Sequence, residues 1–177
     1  MKQAKKLTIV SLLLFILMCT PNVFAQKKTF LENEGEVKKF EPHLRFEYGG
    51  NLGFSTTKNF NWLVGAEAGL QYYFSKKNAA TLSFGYNYTF DGDAKALGYI
   101  PLKAGFKTFV QTGKIYLLGE TGMGVATTNG YNGVGFLWAP TIGYITPSAY
   151  DLSIRYESLS AFESNQIIFR VAYSFKI

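Results

Sequence analysis

The sequence holds a single cysteine, Cys19, and a single histidine, His43. That excludes a disulfide framework within the chain and any cysteine-rich metal site, and it leaves zinc chemistry and nucleophile–histidine catalysis almost nothing to work with. Charge is scarce as well: Asp, Glu, Lys and Arg make up 17% of the residues, against roughly 25% in ordinary soluble domains. No apolar run is long enough to span a bilayer as a helix; Leu7–Met18 falls short of the roughly 20 residues needed. What the chain has in quantity is hydrophobic residues, 47%, and aromatic ones, 17%. That content excludes intrinsic disorder and makes an all-polar, water-facing surface hard to assemble. A length of 177 residues suits one domain.

Residues 1–25 have the layout of an export signal. Lys2, Lys5 and Lys6 form a positive start, Leu7–Met18 an apolar middle, and Val23-Phe24-Ala25 a small-residue cleavage site before Gln26. Cys19 offers a competing reading as a lipoprotein acylation site, but Leu17 and Met18 are bulkier than that site prefers. Cleavage removes three lysines and no acid, halving the formal net charge of +6. A charge that small and dispersed, on an exported chain, excludes a nucleic-acid partner. Residues 26–41 then form a charged lead-in with Lys27, Lys28, Glu32, Glu34, Glu36, Lys38, Lys39 and Glu41. It reads as a solvated segment or as a short periplasmic helix that docks on a partner.

From Pro42 to the C-terminus the period is two. Leu44, Phe46, Tyr48, Leu52 and Phe54 alternate with Arg45, Glu47, Gly49, Asn51, Gly53 and Ser55; Trp62, Val64, Leu70, Tyr72 and Phe74 alternate with Gly65, Glu67, Gly69 and Gln71. The pattern returns six more times. Leu82, Phe84 and Tyr86 stand against Thr81, Ser83 and Gly85; Ile100, Leu102 and Phe106 against Lys103, Gly105 and Lys107; Leu117 and Met123 against Glu120 and Gly122. A sixth run, Val134–Tyr144, has Phe136, Trp138 and Ile142 on its apolar face. The last two set Leu152, Ile154 and Tyr156 against Asp151, Ser153, Arg155 and Glu157, then Phe169, Val171, Tyr173 and Phe175 against Arg170, Ser174 and Lys176. This is strand periodicity, with no helical period in it.

Runs of about nine to thirteen residues match a tilted strand crossing a hydrocarbon layer. A soluble eight-stranded barrel would turn its bulky face inward. Here the charged face is rich in Gly, Ser, Thr and Ala, small enough for a narrow interior, while the other face carries large aromatics that would overfill it. The polar face is therefore expected inside, in an all-β, eight-stranded antiparallel transmembrane barrel of up-and-down order. Connections Ser75–Ala79, Gln111–Lys114 and Ile145–Ala149 are short, whereas Thr56–Asn61, Asp91–Gly98, Thr127–Gly133 and Ser160–Asn165 are longer. Barrels of this kind keep short turns in the periplasm and longer loops outside. Phe46, Tyr72, Phe74, Tyr144, Tyr150, Tyr173 and Phe175 then gather at the periplasmic rim, and Phe54, Trp62, Tyr88, Phe90, Phe136 and Trp138 at the outer rim, as two aromatic girdles.

From Pro42 to Ile177 the chain resembles the small eight-stranded outer-membrane β-barrels of Gram-negative bacteria. The final strand carries the most specific part of the resemblance, with Ile167, Phe169, Val171, Tyr173 and Phe175 alternating toward the C-terminus. It implies outer-membrane lipids as surroundings, a barrel assembly machinery and periplasmic chaperones as partners in biogenesis, and a monomer as the working unit. The chain departs from the family in ending on Lys176-Ile177 rather than an aromatic. Pro101 and Pro140 fall inside proposed strands, where each removes a ladder donor, and local bulges are expected there.

The inward charges are Glu47, Glu67, Glu120, Asp151 and Glu157 against Arg45, Lys103, Lys107, Arg155, Arg170 and Lys176. Because an unpaired charge in a closed lumen is costly, they are expected to interlock and fill it. An eight-stranded barrel has no room for a solute-wide channel. A barrel enzyme acting on outer-leaflet lipid needs a nucleophile and base near the outer rim, and His43 precedes the first strand on the other side. The sequon Asn87-Tyr88-Thr89 lies within a strand, and Asp91-Gly92-Asp93 has too few ligands for a calcium loop. No catalytic, cofactor or metal residue is assigned. The expected role is envelope structure or surface contact; a narrow pore and, behind it, a lipid-modifying enzyme are the alternatives.

Overall fold

The computed structural model describes residues 40–110, 114–128, 130–131 and 133–177. The expected export signal, Cys19 and all but the last two residues of the charged lead-in lie outside the described residues. The alternating runs form eight strands: β1 (His43–Ser55), β2 (Phe60–Tyr73), β3 (Asn78–Asp91), β4 (Leu97–Phe109), β5 (Ile115–Ala126), β6 (Val134–Ile145), β7 (Tyr150–Leu159) and β8 (Ser164–Lys176). Each pairs antiparallel with the next, and β8 returns to β1, so the sheet is a closed barrel without an edge. Closure satisfies the backbone groups that an open sheet would leave bare.

The bulky face is outside. Leu52, Trp62, Leu82, Phe84, Phe136, Ile154 and Val171 project outward and are exposed, while Glu67, Ser83, Lys103, Asp151, Arg155 and Arg170 project inward and are buried. Register carries this arrangement around the barrel, since a slip of one residue would invert a whole strand.

Two expectations change. At Pro101 and Pro140 the structure has gaps rather than bulges. The β3–β4 ladder skips from Phe84↔Leu102 to Asn87↔Tyr99, and the β6–β7 ladder from Trp138↔Ser158 to Thr141↔Arg155, each in unchanged register. The missing N–H faces only one neighbour, so pairing continues on the other side through Pro101↔Gly124 and Gly119↔Pro140. The register shift that does occur lies between Phe60 and Leu63 at the start of β2.

Loop lengths also differ from expectation. The end where β1 starts and β8 finishes, here the near end, carries connections 74–77, 110–114 and 146–149; the far end carries 56–59, 92–96, 127–133 and 160–163. Only 127–133 is clearly longer, because β2, β4 and β8 extend into what reads as loop in the sequence.

Candidate functional site

The lumen divides into three layers. In the middle, nine charged side chains converge from six strands. Glu67 on β2 accepts from Lys103 Nζ at 2.6 Å and from both terminal nitrogens of Arg155, Nη1 at 2.8 Å and Nη2 at 3.0 Å; Arg170 Nε forms an ion pair with it at 3.2 Å without hydrogen-bond geometry. Around it, Glu120 lies 3.3 Å from Arg155 and 3.8 Å from Lys103, and Glu157 lies 3.5 Å from Lys103 and 3.8 Å from Arg155. Toward the near end, Arg170 reaches Glu47 at 2.8 Å and Asp151 at 3.9 Å, and Lys107 reaches Asp151 at 3.2 Å. All nine are essentially excluded from solvent. Five carboxylates meet four cations, so removing any base is electrostatically worse than removing an acid.

Neutral groups complete the layer. Tyr99 donates to Glu157 at 2.5 Å, Tyr116 to Asp151 at 2.6 Å, Ser83 to Glu120 at 2.9 Å and Gln71 to Glu47, while Lys107 Nζ sits 4.0 Å above the Tyr116 ring. Asn87 links Asn51 to the Tyr99 hydroxyl and is fully buried, which removes the sequon from any modifying enzyme. The sequence pattern put Ser83 and Gln71 on the inward face, but it did not single out the two tyrosines.

Two of the expected inward cations stand apart. Lys176 is exposed, because β8 ends at that residue and its side chain leaves the barrel mouth. Arg45, half-buried at the near mouth, donates to the Ser174 hydroxyl at 3.0 Å and carbonyl at 2.7 Å and makes no ion pair with a described residue.

Above and below the charged layer lie buried apolar clusters, the far-end one interleaved with Gln166, which donates to Thr89 and Ser164. Toward the far end, Phe60, Leu63, Leu97, Tyr99, Leu137, Ala139, Leu159 and Ile168 form one buried cluster. Toward the near end, Tyr73, Ala79, Phe109, Tyr116 and Leu118 form another, with Phe40 packed against it. Large inward side chains, which the sequence reading placed only outside, fit because a glycine on the neighbouring strand makes room. A Cβ on Gly143 would lie 2.2 Å from Tyr116 Cζ, and one on Gly135 3.2 Å from Leu159 Cδ1, while Gly124, two strands from Leu159 across the lumen, would bring one within 2.6 Å of the same atom. His43 belongs to the near-end layer, stacked on Tyr73 at 5.0 Å.

The far-end connections are tied together. Asp93 N donates to the Lys58 carbonyl and Ala94 N to that of Asn59, each at 3.0 Å, and the Asn61 amide donates to the Asp91 carbonyl. Tyr131 donates to the Lys95 carbonyl at 2.7 Å, while its ring meets Phe60 and Phe162 at 6.4 and 5.7 Å. Asp91-Gly92-Asp93 is an exposed turn within this stitching, and among the described residues no group of three His, Cys, Asp or Glu is arranged to hold a metal.

On the outer face, near-end rings pair as Phe46–Phe175 (5.6 Å), Tyr150–Tyr173 (5.5 Å) and Phe74–Phe106 (6.0 Å), with Tyr72 and Tyr144 exposed beside them. Far-end rings pair as Tyr88–Phe90 (5.2 Å), Trp138–Tyr156 (5.4 Å) and Phe54–Phe169 (6.5 Å), with Trp62 and Phe136 each 59% exposed.

No family profile and no curated protein matches the chain. Among solved structures, the crystal structure of Ail, the attachment invasion locus protein of Yersinia pestis, matches with a TM-score of 0.54 and 13% identity, over 77% of this chain and 100% of that one. A de novo designed transmembrane β-barrel matches with a TM-score of 0.53 and 17% identity, over 77% and 98%. Ail in complex with the heparin analogue sucrose octasulfate gives 0.51 and 12%, over 77% and 100%. The chain has the fold of the small eight-stranded transmembrane barrels. At such identities the likeness is one of fold.

Proposed function

We propose that the chain is an integral outer-membrane protein, exported with a cleaved signal, received by periplasmic chaperones and the barrel assembly machinery, and working without catalysis as an envelope element or surface contact. One observation carries the reading: a bulky, exposed outer face encloses a buried charged layer with an apolar cluster toward each end. The outer face suits hydrocarbon flanked by two aromatic girdles, while an interior filled with paired charges and buried apolar side chains supports a lumen without a solute path. The near end, with both strand termini, then faces the periplasm.

A lipid-modifying enzyme has less support. Every lumen carboxylate is within ion-pair distance of a cation, and the one histidine lies at the opposite end from outer-leaflet lipid. Recognition of a sulfated polyanion, as in the Ail complex, is also disfavoured here: the described far-end charges are Lys58 and Lys95 against Asp91, Asp93 and Glu163. Surface contact would run instead through the compact, stitched loops and their polar side chains.

Purified protein in planar bilayers tests the sealed lumen, with membrane insertion checked by a mobility shift between boiled and unboiled samples on a gel. Insertion without ion-conducting steps is the expected result. Regular steps in inserted protein would establish the pore reading, and identical mobility would remove the membrane barrel itself.

A further inference from the structure

The ladder gaps at Pro101 and Pro140 are not alike. Beyond Pro101 the β3–β4 ladder resumes with Asn87↔Tyr99, Tyr88↔Gly98 and Thr89↔Leu97, and the connection 92–96 joins the same two strands at that end. Beyond Pro140 the β6–β7 ladder has Trp138↔Ser158 and Leu137↔Leu159 and then stops, because β7 ends at Leu159 while β6 begins at Val134. The connection between β6 and β7, 146–149, lies at the near end and gives no support here.

The two sides of this seam are fastened to different neighbours. Ser158 donates to Asn165 Oδ1 at 2.7 Å, and the Asn165 carbonyl accepts from Thr56 N at 2.8 Å, which ties the end of β7 to β8 and to the β1–β2 connection. The start of β6 is tied to β5 through Val125↔Val134, and Ala126 N donates to the Gly133 carbonyl at 3.3 Å. Among the described residues, the two ladder pairs are joined across the far half of the seam by side-chain packing. Trp138 meets Tyr156 on the outer face at 5.4 Å, and Tyr131 meets Phe162 at 5.7 Å. Ala161, in the short 3-10 turn Ser160–Phe162, sits so close to Gly135 that a Cβ there would lie 2.9 Å from its own. Inside the barrel β6 adds no charge to the middle layer; its Thr141 accepts from Arg155 Nε at 3.4 Å, on the near side of the gap. Local opening follows the elements with the fewest backbone bonds and the least burial.

We propose that the far half of the β6–β7 seam is a lateral opening built into the barrel wall. The end of β7, with the turn 160–163, parts from β6 while the other ladders stay closed, which uncovers Glu157 and Leu159 at the side of the barrel. Amide hydrogen exchange of the full chain folded in detergent micelles tests it. Antiparallel pairs alternate between bonded and non-bonded, so one of Leu137↔Leu159 and Trp138↔Ser158 shares N–H bonds across the seam. Its amides should exchange about tenfold or more faster than those of the bonded pair among Leu52↔Val64 and Gly53↔Leu63, at the same end of the continuous β1–β2 ladder. Equal protection would overturn the proposal.

A disulfide staple separates parting of these two strands from a general loosening of the far end. In a Cys19→Ser background, Trp138→Cys with Ser158→Cys joins directly opposite positions. Oxidation should slow exchange at the seam to the β1–β2 rate, and reduction should restore it; no response to oxidation would overturn the proposal. The control staple, Leu52→Cys with Val64→Cys, should leave the seam amides unchanged when oxidised. Equal slowing from the control would mean that the barrel opens as a whole, and would overturn it too. The comparison of ladders in the unsubstituted chain decides if the stapled variant fails to fold.

Discussion

The middle of the lumen and its two ends are built from inward positions of the same strands, yet they exclude water by opposite means. In the middle, charges are packed tightly enough for each to serve several partners, with Glu67 engaging Lys103, Arg155 and Arg170 together. At the ends, leucines and aromatic rings close over the gaps that glycines leave. The ends also serve the middle: by keeping water out they lower the local dielectric, which strengthens each ion pair and raises the penalty for breaking one. A charged core in this barrel therefore depends on an apolar one.

Arg155→Met should produce the largest effect. It leaves five buried carboxylates facing three cations and strips Glu67, Glu120 and Glu157 of a shared partner, at a cost of about 3–5 kcal/mol in urea unfolding from micelles. Glu67→Met should cost less, because it leaves four charges of each sign. Equal losses would mean that water reaches the layer and screens it. Next comes Leu137→Ala in the far-end layer. Leu137 is fully buried beside Leu159, and the cavity should cost about 3 kcal/mol. If the middle depends on the ends, the two substitutions are not additive: Arg155→Met should cost less in the Leu137→Ala background, where water can enter.

The outward alternation and the charged inward face were legible in the sequence because polar and bulky residues there differ sharply, as in Glu67, Gly69 and Gln71 against Ala68, Leu70 and Tyr72. The apolar layers were not. Leu63, Leu97, Tyr99, Leu137 and Leu159 stand in phase with the charges, but they sit at strand ends beside outward apolar residues such as Trp62, Ile100 and Trp138. With apolar residues on both faces the period-two contrast vanishes, and an inward leucine reads like an outward one. The ion pairs were legible as a set of residues but not as pairs: Glu67 and Arg155 lie on strands that are not neighbours, and only the closure of the barrel brings them within 3 Å.

The comparison of inside with outside is sharpened by Leu82 and Ser83, adjacent on β3. Leu82 is 51% exposed on the outer face, while Ser83 is buried beside Glu120. Under the membrane reading Leu82→Arg places a guanidinium in hydrocarbon and should cost about 2 kcal/mol. A cysteine-linked spin label at Leu82 should report an apolar surrounding. A water-like signal there, in protein folded in bilayers, would mean that this face does not meet lipid.

The smallest expected effect distinguishes the far-end layer from the loops that cover it. Tyr131 reaches over Phe60 toward Phe162 and anchors itself through the Lys95 carbonyl, so it joins three connections that the ladders do not. Each such ring pair is worth about 0.5–1.5 kcal/mol and the hydrogen bond about 1 kcal/mol, and these terms do not add in a partly exposed loop. Tyr131→Ala should therefore lower local stability by about 1 kcal/mol, read as faster amide exchange at Asp93 and Ala94, whose N–H groups donate to the neighbouring connection. Leu63 and Leu137 lie deeper and are held by the strands, so exchange at their amides should be unchanged. If Tyr131→Ala instead loosens the β2 and β6 ladders, the loop is a structural part of the seal. If exchange at Asp93 and Ala94 is unaffected, their backbone bonds hold the connections together without the ring.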